Sequence, residues 1–368
     1  MDHHGLDHDG VDLQHVREAV ADHLTQFLAA RDTEVAKLGT AVSEAVAQLK
    51  RFVLGGGKRV RPIYGWVGFV GGGGLNADEE APEAVLRAVS SLEFIQACAL
   101  IHDDLIDASD TRRGSPTVHR AVEAMHRDRG YRGDAAAFGE HQALLIGDLA
   151  LVWADDLWRR SGVSTAALER AEEPWRGMRT EVIGGQILDI MLEAQGSESV
   201  EMADQVNRFK TAAYTIERPL HLGAALAGAS PAIIAAFRGY GRDIGVAFQL
   251  RDDILGVFGD STITGKPAGD DIREGKRTVL YASALNLLDA VNSPAASELR
   301  AGIGVATQPQ QVARLAELIR ESGAVDAVEE KIAALTASGL AHLEQADIDP
   351  NVAEVLRGLA ISSTERRM

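Results

Sequence analysis

Apolar residues recur along this chain at intervals of three and four, as in Val85, Leu86, Val89, Leu92, Ile95, Ala99 and Ile106, the spacing that turns one face of an α-helix toward a core. The same pattern runs through Val16 to Leu54, Ala143 to Trp158, Val182 to Leu192, Ile233 to Phe258, Thr278 to Leu288, Gln311 to Ile319 and Val325 to Leu343. Alternating β-branched runs, the mark of half-buried strands, are scarce. An all-α protein is therefore predicted. Helix-breaking segments fall at Gly71 to Gly74, His126 to Gly139, Gly259 to Gly275 and Asn292 to Ala296, and none reads as a linker between domains. With no internal repeat, the economical reading is a disordered polar tail over residues 1–12 and a single large helical bundle over 13–368.

The chain carries 37 basic and 54 acidic side chains among 368 residues, a formal charge of -17. That balance repels nucleic acid and anionic lipid at long range, so no nucleic-acid partner is expected. A small anionic substrate is compatible with it wherever basic side chains cluster or divalent cations bind. Cys98 is the sole cysteine, which excludes an intrachain disulfide framework and a thiolate metal cage; it reads as a small buried apolar residue. The first twenty residues carry His3, His4, His8, His15 and four aspartates without an apolar run. No signal peptide is expected there, and a frayed tail explains the histidines better than a metal site does. Leu220 to Phe237, the best candidate for a membrane span, is broken by Gly, Ser and Pro, so none is expected. Together these readings place the protein in the cytoplasm.

Two acidic pairs carry the chemical argument. In Leu100 to Asp107, Asp103 and Asp107 stand four residues apart, on one helix face and about 6 Å apart along the axis. Carboxylates one turn apart suit magnesium, a hard ion that keeps waters and substrate phosphates in its shell. A solvated acidic face is the plainer alternative. Against it, Leu100, Ile101, Leu105 and Ile106 imply a helix with little free surface, where unpaired carboxylates are unfavourable. Asp252 and Asp253 repeat the theme inside the apolar stretch Phe248 to Gly256. If the two helices face each other across a bundle, these aspartates would hold cations whose coordination a diphosphate completes.

Basic, glycine-bearing segments accompany them. In Gly55 to Pro62 the glycines let backbone approach a ligand, and Lys58 and Arg61 can reach it. This segment is no P-loop, since the glycine spacing and the Ser or Thr after the lysine are missing. Thr111 to Pro116 follows the first acidic motif directly, and Gly265 to Thr278 follows the second. Metals gripping one side of a diphosphate and basic donors the other would require such an order.

From Leu49 to Leu280 the sequence closely resembles the polyprenyl synthetase family, the trans-isoprenyl diphosphate synthases. The resemblance rests on Gly56 to Pro62, on Asp103 to Asp107 followed by Arg112, Arg113 and Gly114, and on Lys210 with Thr211. It extends to Phe248 to Asp253, followed by Gly265 with Lys266 and Gly275 with Lys276. It implies a fold of the isoprenoid synthase type around a central active-site cavity, a homodimer, and condensation of isopentenyl diphosphate with an allylic diphosphate. It further implies that Asp103, Asp107 and Asp252 ligate magnesium on the allylic diphosphate, three ions in all, supported by Asp104 and Asp253. Arg112, Lys210 and Lys266 would bind that diphosphate, with Lys276 among the substrate-binding residues. Lys58, Arg61, Gln96 and Arg113 would hold isopentenyl diphosphate; Gln96 stands where many relatives have histidine, and its amide can still donate to a phosphate. Thr211, Gln249 and backbone carbonyls would stabilise the allylic cation, and the departing diphosphate would take the proton, so no protein base is expected. Gly256 departs from the pattern, because the family usually has a third aspartate there.

In such enzymes the hydrocarbon tail grows along a channel beside the first aspartate helix, which implies that Ala99 and Cys98 lie near its floor. Both are small, as a product of at least twenty carbons would need. Phe94 and Ile95 one turn deeper, or Trp153 from another helix, would close the channel. Geranylgeranyl diphosphate is the expected product, with shorter or longer polyprenyl diphosphates as alternatives. A class I terpene cyclase would have no use for Lys58, Arg61 and Arg113. A silent partner subunit would be expected to lack the aspartates or lysines that are present.

Overall fold

The computed structural model describes residues 11–77, 79–259 and 268–365. In chain order the helices are α1 (Leu13–Ala30), α2 (Asp32–Ala36), α3 (Thr40–Leu54), α4 (Val60–Gly71), α5 (Pro82–Ser90), α6 (Leu92–Ile106), α7 (Val118–Asp128), α8 (Ala135–Arg159), α9 (Thr165–Arg170) and α10 (Glu172–Ala194). They continue with α11 (Val200–Val206), a π-helix (Asn207–Glu217), α12 (Arg218–Leu226), α13 (Pro231–Phe258), α14 (Asp270–Glu274), α15 (Val279–Val291), α16 (Ser293–Gly302), α17 (Pro309–Glu321), α18 (Ala324–Leu343) and α19 (Pro350–Thr364). Among the described residues the only sheet is a ribbon of two short strands, β1 (Thr111–Arg112) and β2 (Ser115–Pro116). The all-α expectation holds. Side-chain caps start several helices: the Asp12 carboxylate accepts from the amides of Gln14 and His15 at 2.8 and 3.2 Å, and Asp134, Ser164, Ser199 and Thr278 do the same for α8, α9, α11 and α15.

The chain forms two compact units. One holds the residues up to Gly177 with 218–235 and 348–352; the other holds 178–217, 236–347 and 353–368.

At the centre of the first unit, α4 packs on α12. Pro62 sits in the first turn of α4, where its missing N–H is no loss. Trp66 and Phe69 are fully buried, each stabilising the fold by roughly 1.5–3 kcal/mol. The two backbones touch because glycine lines the contact. A Cβ at Gly223 would lie 1.8 Å from the Gly65 carbonyl oxygen, and one at Gly68 would lie 2.3 Å from that of Leu220. The stretch Pro82–Ile106, comprising α5 and α6, is by length and composition able to cross a membrane, but 78% of its most apolar window is buried inside the protein. It displaces Leu220 to Phe237 as the most apolar candidate, and core burial of Val85, Leu86, Val89, Leu92, Phe94 and Ile95 accounts for its composition.

His126 to Gly139, one of the helix-breaking segments of the sequence, comprises the end of α7, an exposed turn and the start of α8. The turn closes around the buried His126 ring, whose centroid lies 5.7 Å from that of Tyr131 and 4.9 Å from that of Phe138. The residue types look polar, but one buried ring organises them.

In the second unit Leu250 and Ile254 of α13 pack with Leu280, Ala284 and Leu285 of α15, and with Leu299, Leu315, Ile319 and Val328 of later helices. The π-helix, of 11 residues, is gripped at close range by glycines. A Cβ at Gly185 of α10 would lie 2.3 Å from the Lys210 nitrogen, and one at Gly245 of α13 2.6 Å from the Ala212 Cα. π-turns concentrate at functional sites, and this one carries Lys210 and Thr211.

Candidate active site

The first acidic motif occupies the end of α6. Asp107 caps the helix, its amide donating to the Asp103 carbonyl at 2.9 Å. Ala108 then adopts a left-handed conformation at φ 50° and stops the helix. Asp103 and Asp107, both half-buried, thus share the last turn, where the helix dipole favours a cation. Asp104 lies on the inner side, buried, and accepts from Arg112 Nε at 2.7 Å, while the same guanidinium reaches Asp103 at 3.3 Å. Ile101 is buried, as the sequence suggests, but Ile106 is 46% exposed. The expectation of little free surface fails there because the helix ends at that residue.

The ribbon brings two basic segments together. Arg113 and Gly114 join β1 to β2 with φ of 53° and 74°, the positive values that a type I′ hairpin turn demands. The turn aims the Arg113 guanidinium at the Gly56 carbonyl, 3.0 Å away. Arg59, left-handed at φ 50°, turns inward and pairs with Glu93 of α6, both side chains buried. Arg61 is buried in the first turn of α4, Lys58 is exposed, and Gln96 sits half-buried one turn along α6 from Glu93. Desolvation lowers the Arg113 pKa; Glu93 opposes this, and the like charges of Arg112, Arg59 and Arg61 add to it. Arg113 thus feels three other arginines and one carboxylate, a concentration of positive charge suited to an anion.

The second acidic motif lies in the other unit. The Thr211 hydroxyl donates to Gln249 Oε1 at 2.7 Å, and the Gln249 amide donates to Asp253 Oδ1 at 2.8 Å. Lys210 Nζ donates to Asp189 at 2.6 Å. Asp252 is half-buried and Asp253 buried. Burial pushes the Asp253 carboxyl up to about 8; the charges of Asp271 and Asp252 push the same way, and hydrogen bonding from Gln249 opposes them. Lys276 pairs with Glu274 at 3.1 Å. Lys266 lies outside the described residues.

Beside the first motif, the residues considered for a channel floor form an aromatic cluster. Phe94 and Trp153 meet edge to face at 6.4 Å, and Phe27 of α1 completes the group at 5.3 and 6.1 Å from them. The Arg31 guanidinium lies over Phe27 at 4.7 Å and is fixed by Asp156 at 2.7 Å. Ile95 is buried beside Phe94 in sequence, and Cys98 and Ala99 stand one turn nearer Asp103. Burial, with the Asp148 charge adding, pushes the Cys98 thiol up to about 12, which makes it the inert packing residue expected.

Sequence reasoning missed Arg59, Glu93, Asp189 and Phe27. Arg59 stood in the basic segment already singled out, yet only its left-handed backbone turns it inward. Glu93, Asp189 and Phe27 carry no motif of their own; they matter through the partners that the fold gives them.

Among the described residues no three His, Cys, Asp or Glu side chains converge closely enough to enclose a metal by themselves. One-turn carboxylate pairs fit an ion that takes hard oxygen donors and keeps water or phosphate oxygens as its other ligands, as magnesium does.

Residues 43–321 match the polyprenyl synthetase family. Over 281 residues the chain is 33% identical to the geranylfarnesyl diphosphate synthase of Aeropyrum pernix, spanning 75% of this chain and 79% of that one. Over 240 residues it is 34% identical to a short chain isoprenyl diphosphate synthase of Methanocaldococcus jannaschii, spanning 65% and 66%. It is also similar to the geranylgeranyl pyrophosphate synthase of Corynebacterium glutamicum in its crystal complex with isoprenyl diphosphate and magnesium: 60% identical, TM-score 0.95, over 97% of this chain and 100% of that one. The chain belongs to the polyprenyl synthetase family and is an all-α prenyltransferase, of a kind that generally depends on magnesium.

Proposed function

We propose that the protein condenses isopentenyl diphosphate with allylic diphosphates to make geranylgeranyl diphosphate, acting in the cytoplasm as a homodimer. The observation that carries the chain length is the aromatic cluster of Phe27, Phe94 and Trp153 lying one turn beyond the small residues Cys98 and Ala99. Small side chains let a fifteen-carbon tail pass, and the rings stop it about one turn further on. The likeness to the Corynebacterium glutamicum enzyme supports the same length.

In this reading Asp103 and Asp107 hold magnesium on the allylic diphosphate, and Asp252 holds a further ion, three with diphosphate bound. Magnesium supplies Lewis-acid stabilisation of the departing diphosphate. Arg112, Lys210 and Lys266 add charge-assisted hydrogen bonds to that group, and Lys276 serves among the substrate-binding residues. Lys58, Arg61, Gln96 and Arg113 hold isopentenyl diphosphate. The allylic carbon–oxygen bond breaks with its electrons leaving on the diphosphate, and the isopentenyl double bond attacks the allylic carbon. The proton then lost passes to the diphosphate. Thr211 and Gln249 contribute fixed oxygen dipoles to the developing cation, each oriented by the hydrogen bond between them.

The homodimer reading rests on exposed apolar side chains. Leu144, Leu145 and Val152 are exposed on α8, and Ile183, Ile187, Ile190 and Met191 on α10. The α10 set follows three- and four-residue spacing, a stripe of the kind that a partner covers.

The test is product chromatography after incubation with magnesium, isopentenyl diphosphate and, separately, dimethylallyl, geranyl and farnesyl diphosphates. A twenty-carbon product supports the reading. A longer product overturns the assigned floor, and diphosphate release without condensation overturns the reaction.

A further inference from the structure

Phe27, Phe94 and Trp153 meet pairwise edge to face, with centroids 5.3, 6.1 and 6.4 Å apart, and each comes from a different helix. Phe94 of α6 is fully buried, whereas Phe27 of α1 is half-buried. One guanidinium spans two of the rings. Arg31 lies over Phe27 at 4.7 Å and over Trp153 at 5.9 Å, within the range at which a cation is drawn to a ring face.

Helical spacing builds this contact from both sides. On α1, Phe27 and Arg31 are four residues apart, and on α8, Trp153 and Asp156 are three apart, so each helix presents a ring and a charge side by side. Arg31 is also the residue that ends α1, where a cation suits the helix dipole. Its guanidinium donates to Asp156 at 2.7 Å and to Glu34 at 3.3 Å, and only 11% of its side chain is exposed. A long charged side chain so covered is held by packing as well as by pairing. The arrangement ties α1 to α8 across the cluster, and none of its four residues belongs to the aspartate or basic motifs.

We infer that Arg31 and Asp156 help to fix product length by latching α1 to α8, as positioning residues that keep the Phe27 and Trp153 rings in the path of the growing tail. A floor made of rings has to resist the tail. Each added isoprene unit gains more from leaving water than one edge-to-face ring contact contributes, so rings held only by one another would give way. The Arg31 guanidinium, stacked on two rings and paired with Asp156, prevents this, because either ring can swing aside only by giving up its contact with the cation. Chain length then depends on a charge as well as on ring size.

This inference rests on the reading of the rings as the channel floor, and the experiment separates the two. Wild type, Arg31→Met, Arg31→Lys, Asp156→Ala and Phe94→Ala are incubated with magnesium, isopentenyl diphosphate and dimethylallyl diphosphate. Chromatography resolves the products, the initial rate of condensation is measured alongside, and circular dichroism at the assay temperature reports folding. Methionine keeps the reach of Arg31 without its charge. Arg31→Met and Asp156→Ala should each raise the ratio of longer products to the wild-type product about 3-fold or more, with the initial rate unchanged. Arg31→Lys retains the charge and the pairing, and its ratio should lie closer to the wild type than that of Arg31→Met. Wild-type ratios in Arg31→Met or Asp156→Ala, or equal ratios in Arg31→Lys and Arg31→Met, would overturn the latch while a lengthened product from Phe94→Ala leaves the floor standing. If Phe94→Ala also keeps the wild-type length, the floor lies elsewhere and both readings fall.

Discussion

The Gln249 amide donates to Asp253 at 2.8 Å, one of the few interactions favouring the charged form of a carboxyl that burial pushes up to about 8. The unfolded carboxyl titrates near 4. Between those values the folded protein binds a proton that the unfolded chain does not. The stability so contributed is complete below about pH 4 and is lost as pH rises through about 8. Asp253→Asn cannot ionise. In chelator its melting temperature should therefore exceed that of the wild type by more at pH 8 than at pH 6; equal differences at the two values would show that the carboxyl is not raised.

In the proposed reading the aromatic cluster is the floor of the product channel. Phe94→Ala opens the floor and should lengthen the product beyond twenty carbons, whereas Cys98→Phe should shorten it. Chromatography of the products reads both directions, and unchanged lengths would place the floor elsewhere.

Gly223→Ala tests the contact of α4 with α12. Its methyl group would sit 1.8 Å from the Gly65 oxygen, which only separation of two buried helices relieves. Overpacking of this kind costs about 3 kcal/mol, visible as a lower denaturation midpoint. Gly358→Ala, where a Cβ meets nothing within 4 Å, should leave the midpoint nearly unchanged.

Ile187→Glu places a charge in the exposed apolar stripe of α10. If a second copy covers that stripe, the variant should run as a smaller species than the wild type in sedimentation, with its helical circular dichroism intact. An unchanged sedimentation coefficient would remove the stripe from the interface.

Legibility in the sequence followed the range of the interaction. Asp103 and Asp107 are readable because helical periodicity alone puts them on one turn, and apolar spacing makes the all-α class readable for the same reason. Arg59 and Arg113 depend on left-handed backbone at single residues, which no residue type announces. Asp271 meets Gly256 only through tertiary packing, so the missing aspartate was visible and its neighbour was not.

The π-helix has a consequence for how such a chain can vary. Its hydrogen bonds reach five residues back instead of four, so Asn207–Glu217 holds a residue count that an α-helix between the same ends would not. Deleting one residue would swing all that follows by about 100°, and Gly223 would no longer be the residue presented to Gly65. The stretch acts as a reading frame for the helix after it. Natural length differences should be barred from residues 207–217.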